Sequence, residues 1–154
     1  MSLVLVFGMH RSGTSLVAQA LSRAGVNPGR SGDLLSPQAD NPEGFFENSK
    51  FVALNDRLLT SLDASWNRPP SHASVVQATE STKAADLLEF MGEFSQEASQ
   101  DFILKDPRAC LTWPVLASSE LRIHYLYVYR SPLAVARSLE KRNGFPMQYG
   151  LALW

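Results

Sequence analysis

The chain is expected to fold as an α/β domain around a parallel sheet, and three observations carry that expectation. Three apolar runs, at residues 3–7, 102–105 and 123–129, read as short strands. Helical patterns separate them, which implies parallel pairing through crossover connections. Each run also ends in residues unusual for a strand: a glycine-bounded loop, then Lys105-Asp106, then Arg130. In parallel sheets ligands gather at the carboxyl ends of strands, so the three ends predict one composite site.

The first element sets the frame. Leu3 to Phe7 is apolar throughout, as a strand buried on both faces should be. Gly8 and Gly13 bracket a tight loop, and Thr14-Ser15 open an amphipathic helix with Leu16, Val17, Ala20, Leu21 and Ala24 on its apolar side. Gly25 fits its C-terminal cap. Strand, loop and helix end form an anion cradle, because main-chain N–H groups converge there and the helix dipole favours negative charge. The spacing Gly-x4-Gly followed by two small residues is that of a P-loop, which predicts a three-layer P-loop NTPase-like domain with a central parallel sheet. Thr14, however, stands where the nucleotide-triphosphate version has lysine. The loop's cation is Arg11, with hydroxyls at Ser12, Thr14 and Ser15.

The remaining elements follow in order. Val26 to Glu47 is long, irregular and rich in Gly, Pro, Asn and Ser, the composition of a functional or mobile loop. It closes on Asn41-Pro42-Glu43-Gly44-Phe45-Phe46-Glu47-Asn48. A helix capped by Asn48 or Ser49 comes next, with Phe51, Leu54, Leu58, Leu59 and Leu62 at helical spacing. Asp63 to Ser74 reads as a second loop, broken by Pro69-Pro70, in which Trp66 and His72 are solvent-exposed or half-packed or else line an acceptor site. A helix is expected from about Ser81 to Ala98 and a short one around Leu111 to Leu116, allowed by Pro114. Pro132 suits the first position of the last clear helix.

Composition narrows the classes. With 154 residues, 45% hydrophobic and 19% charged, the chain is one globular domain spanning 1–154. A net charge of −1 argues against a nucleic-acid partner, so any anion site must be local. The one cysteine, Cys110, excludes an internal disulfide framework and fits a cytoplasmic, reducing compartment. No apolar run reaches membrane-spanning length, and Leu3–Phe7 is too short for a signal sequence.

The segment FGMHRSGTSLVAQAL resembles the 5′-phosphosulfate loop of the sulfotransferase superfamily, closest to the RSGT branch of bacterial and tyrosylprotein sulfotransferases. Arg130-Ser131-Pro132, with Ser138 eight residues after the arginine, is similar to that family's 3′-phosphate motif. Leu104-Lys105-Asp106-Pro107 resembles its KDP segment. The resemblance implies metal-independent transfer of a sulfuryl group from 3′-phosphoadenosine 5′-phosphosulfate (PAPS) to a hydroxyl or amine. The acceptor is a small molecule, a carbohydrate or a peptide. Arg11, Ser12, Gly13, Thr14, Ser15, Arg130 and Ser138 would hold the donor. Arg11 and Lys105 would stabilise charge on the sulfuryl and leaving oxygens, and Glu47 would be the base, with Glu43 and His10 as fallbacks. Phe45 and Phe46 either cover the acceptor or belong to the core. The family's domain is normally longer, with a later segment that completes the 3′-phosphate site and the acceptor pocket, so the chain is expected to lack it.

Two other classes stay open. Asp106, just after a buried strand, occupies the place of a magnesium ligand in P-loop phosphotransferases, which would make the protein a nucleotide or small-molecule kinase. The absent loop lysine favours instead an Asp106 that orients Lys105 or Arg108. A nucleotide-binding module without turnover is the other alternative.

Overall fold

A computed structural model describes residues 2–38, 41–97 and 100–154. Strands β1 (Leu3–Phe7), β2 (Phe102–Lys105) and β3 (Ile123–Tyr127) form a small open parallel sheet in the order β2-β1-β3. The described residues also form seven helices: α1 (Thr14–Arg23), α2 (Ser49–Ser61), α3 (His72–Thr79), α4 (Ala85–Glu97), α5 (Ala109–Ala117), α6 (Pro132–Asn143) and α7 (Met147–Leu153). The protein is therefore α/β with all sheet pairings parallel.

The apolar runs explain where the core sits. Successive side chains of β1 point to opposite faces, and both are covered. Leu3, Leu5 and Phe7 join Phe51, Leu58, Leu87 and Leu116 in the larger core. On the other face Val6 and Ile103 pack against Ala18 of α1. Met9, Val135 and Leu139 make a third cluster that docks α6 beside the loop after β1. α1 ends as its glycine implies: Gly25 has φ 96°, its N–H reaches Ser22 O, and Val26 N–H reaches Leu21 O.

Several elements differ from the sequence expectation. β3 stops at Tyr127, two residues early, although Val128 N–H still donates to Phe7 O at 2.8 Å. The expected loop 63–74 ends sooner, because α3 begins at His72. Ser71 Oγ accepts from Ser74 N–H, and the helix buries Val75 and Ala78. Pro69-Pro70 masks this start, since prolines end one pattern immediately before another begins. The helix expected from Ser81 opens as a single tight 3₁₀ turn at Thr82–Ala84 before α4; its expected end at Ala98 lies outside the described residues. α5 begins at Ala109, so Pro114 lies inside it rather than near its start. Asp106 fixes that earlier start: its carbonyl accepts from Ala109 N–H and its carboxylate from Arg108 N–H.

Trp66 is half-buried, with its ring centroid 4.3 Å from that of His10, whereas His72 is exposed on α3. Among the described residues no helix is long and apolar enough to cross a membrane.

Candidate anion-binding site

The loop leaving β1 is shaped by backbone demands. Gly8 has φ 149°, and a Cβ there would lie 2.2 Å from Val128 O. Only glycine lets the chain pass so close to the backbone after β3. Ser12 N–H closes a turn onto Met9 O, and Gly13 adopts φ 95° at the start of α1. Between them Arg11 is held at φ 71°, a left-handed conformation that costs about 1–2 kcal/mol for a non-glycine residue. α1 begins at Gly13 without a side-chain cap on its first-turn N–H groups, an arrangement that suits an anion.

A cavity of about 220 Å³ opens over this loop. Arg11, Lys105, Arg130 and Arg142 line it, against the single carboxylate of Glu47. Four cations and one anion make the pocket strongly positive in a chain whose net charge is −1. A larger groove of about 290 Å³, floored by Phe90, Phe94 and Phe102, lies at the start of β2. It is thus at the opposite end of the strand from the glycine loop.

One half of the cavity is buried and tightly paired. Lys105, the last residue of β2, is 1% exposed, and its Nζ sits 2.5 Å from Glu47 Oε1 and 3.2 Å from Ser15 Oγ. Arg108 stands behind this pair, 3.8 Å from Glu47 Oε2. Burial lowers the Lys105 pKa, and the Glu47 charge opposes that shift. Asp106 is fully buried: Oδ1 accepts from Arg108 N–H and Nη1, and Oδ2 from Asn55 Nδ2 at 3.0 Å. Burial pushes its carboxyl up to about 7, against the pull of Arg108. Asn55 is fixed in turn by Thr112 Oγ1, which donates to Asn55 Oδ1 at 2.6 Å. Asp106 therefore orients Arg108, not Lys105.

The other half is more open. Arg130 Nη1 donates to Arg11 O at 2.9 Å, and Arg11 Nε donates to Ser138 Oγ at 3.0 Å. The 26–47 segment is tied across the mouth, with Asn41 Nδ2 donating to Gly44 O at 2.7 Å and to Ser15 Oγ at 3.3 Å.

No family model, curated protein or solved structure matches the chain.

The expected site residues are distributed unevenly around the cavity. Arg11, Gly13, Thr14, Ser15, Glu47, Lys105 and Arg130 all line it. Ser12 does not: it is buried beneath the loop, and its Oγ has no hydrogen-bond partner among the described residues. Ser138 touches the site through Arg11. Of the fallback bases, Glu43 is exposed and accepts from Gln19 Nε2, while His10 lies in the cavity wall. The two aromatics part company, since Phe45 lines the cavity and Phe46, at φ 57°, packs beside Val6 and Ile103.

Arg142 and Asn55 are the residues that sequence reasoning missed. A basic residue in the last turn of α6 looks like an ordinary complement to the helix dipole. Asn55, on the polar spacing of α2, carries no signal of its contact with Asp106.

Proposed function

We propose that the chain is a PAPS-dependent sulfotransferase of P-loop NTPase-like architecture, binding the donor's phosphosulfate over the Gly8–Ser15 loop. One observation carries this reading: the cavity is lined by cationic side chains, while Asp106, where a magnesium ligand would be sought, is closed in by Arg108 and Asn55. A transferring sulfuryl group bears less negative charge than a phosphoryl group, so cations and amides suffice to stabilise it.

The roles follow from position. First-turn amides of α1 and Arg11 face the 5′ end of the donor. Lys105, at the end of β2, meets the charge that grows on the bridging oxygen as the sulfur–oxygen bond breaks. Arg130 and Ser138, linked to one another through Arg11, receive the 3′-phosphate. Glu47 takes the base role once Lys105 has turned from it to the donor, which frees the Oε1 that Lys105 Nζ occupies in this arrangement.

That same tight pair favours a second reading, a nucleotide-binding module without turnover. Calorimetry with adenosine 3′,5′-bisphosphate and with ATP, each with and without magnesium, separates the possibilities. Metal-independent bisphosphate binding supports the donor site, and magnesium-dependent ATP binding replaces it with a kinase. Bisphosphate binding with no sulfuryl transfer to any acceptor of a hydroxyl and amine panel leaves the module.

A further inference from the structure

β3 closes one side of the sheet, and among the described residues no strand lies against its outer edge. Its pairing with β1 fixes which backbone groups are spent. Leu3 N–H donates to Arg122 O and Val128 N–H to Phe7 O, with Leu3 level with Ile123. Parallel bonding alternates along a strand, so the even-numbered residues of this stretch face β1. Ile123, Tyr125 and Tyr127 therefore turn both N–H and C=O to the open edge. Their side chains leave that edge clear. Tyr125 is 44%, Leu126 37% and Tyr127 55% exposed, and they alternate between the two faces, so neither helical layer overhangs it. Residues 123–129 also contain no Lys, Arg, Asp, Glu, Pro or Gly, the residues that usually keep an edge from pairing.

The strand's own sequence complements that edge. An antiparallel copy related by a two-fold axis at Tyr125 sets Tyr125 against Tyr125, Ile123 against Tyr127 and His124 against Leu126. Aromatic and β-branched partners of this kind stabilise neighbouring strands. The same register opposes Leu121 to Tyr129 and, twice by symmetry, the exposed Glu120 to the exposed Arg130 of the second copy. Moving the axis to Leu126 would oppose Arg122 to Arg130, and moving it to His124 would leave Glu120 against Val128. Charge thus selects Tyr125.

We infer that β3 pairs edge to edge with β3 of a second copy of this chain, about a two-fold axis at Tyr125, to make one continuous six-stranded sheet. A single strand edge is a small interface, so the dimer is weak and forms at micromolar concentrations. The inference is independent of the sulfotransferase reading.

Sedimentation velocity on the full chain, from low to high micromolar, should show a monomer–dimer equilibrium. Amide exchange of Tyr125 and Tyr127 should slow as concentration rises, while Val128, already bonded to Phe7 O, should not change. Tyr125→Lys opposes like charges at the axis and should weaken the dimer about tenfold. Glu120→Arg should weaken it about threefold, and adding Arg130→Glu should recover the parent value. The register is read separately, in a Cys110→Ala background, from His124→Cys, Tyr125→Cys and Leu126→Cys. Mild oxidation should link Tyr125→Cys fastest, because only position 125 opposes itself. This series decides the matter if Tyr125→Lys does not fold. A chain that stays monomeric throughout, a Tyr125→Lys variant that dimerises like the parent, or fastest linkage at 124 or 126 overturns the inference.

Discussion

β2 and β3 flank the same central strand and deliver residues to the same cavity, yet under opposite conditions. All four residues of β2 are buried, and its last, Lys105, enters a network with Glu47, Ser15, Arg108, Asp106 and Asn55. β3 is open along most of its length: Tyr125 is 44% and Tyr127 55% exposed, and Arg130 beyond it is exposed as well. The contrast separates two ways of presenting a cation to an anion. Lys105 is held in place before any ligand arrives, at the expense of desolvating a charge. Arg130 stays in solvent, tied to Arg11 O by its Nη1, so its removal should cost little stability.

The buried half should break hardest. Lys105→Met removes the nearest cation from the buried Glu47 carboxylate, and unfolding in urea should show a loss of about 3–5 kcal/mol. Adding Glu47→Leu in the same chain should restore most of that loss, because the uncompensated charge goes with it. A single variant within about 1 kcal/mol of the parent would show that Arg108 alone suffices for Glu47.

On the open half the ranking of stability and affinity reverses. Arg130→Ala should leave the urea midpoint nearly unchanged, within about 0.5 kcal/mol. Calorimetric affinity for adenosine 3′,5′-bisphosphate should nevertheless fall by about 2–3 kcal/mol, roughly 30- to 150-fold, as charge-assisted bonds to the 3′-phosphate are lost. Equal affinity in variant and parent would remove Arg130 from the site.

The smallest effect sharpens the boundary between the halves, where His10 lies. Its folded pKa is depressed by burial first and by surrounding cations next, while the unfolded value stays near 6.5. The unfolded state therefore binds the extra proton, so His10's contribution is complete above pH 6.5 and declines as pH falls below it. Between pH 6.5 and 5.5 stability should drop by about 1 kcal/mol from this group alone. His10→Phe should flatten that interval in pH-dependent urea titrations, whereas a slope unchanged by the substitution would place the proton elsewhere.

Much of this architecture was legible along the chain because its signals are local. The apolar runs at 3–7 and 102–105, the glycines at 8 and 13 and the proline at 132 each act through their own backbone, and the parallel α/β arrangement follows from their alternation. The convergence of Arg11, Lys105 and Arg130 followed too, since strand ends of a parallel sheet lie on one side. Helix α3 escaped because Ser71 and its buried partners sit directly behind two prolines, where local punctuation hides a weak pattern.

Side-chain partnership belonged to the tertiary structure. Glu47 and Lys105 are 58 positions apart, and nothing in either segment states that they pair. Asp106 reads identically in sequence whether it holds a metal or an arginine, and only the approach of Arg108 and Asn55 in three dimensions closes its oxygens. His10 likewise gains its unpartnered nitrogen from Trp66, which packs over it from a loop 56 positions away and shields it from water. Periodicity and turn chemistry act over a few residues and are written in order along the chain. Desolvation and pairing depend on which distant groups exclude water from one another, and that is decided when the layers pack.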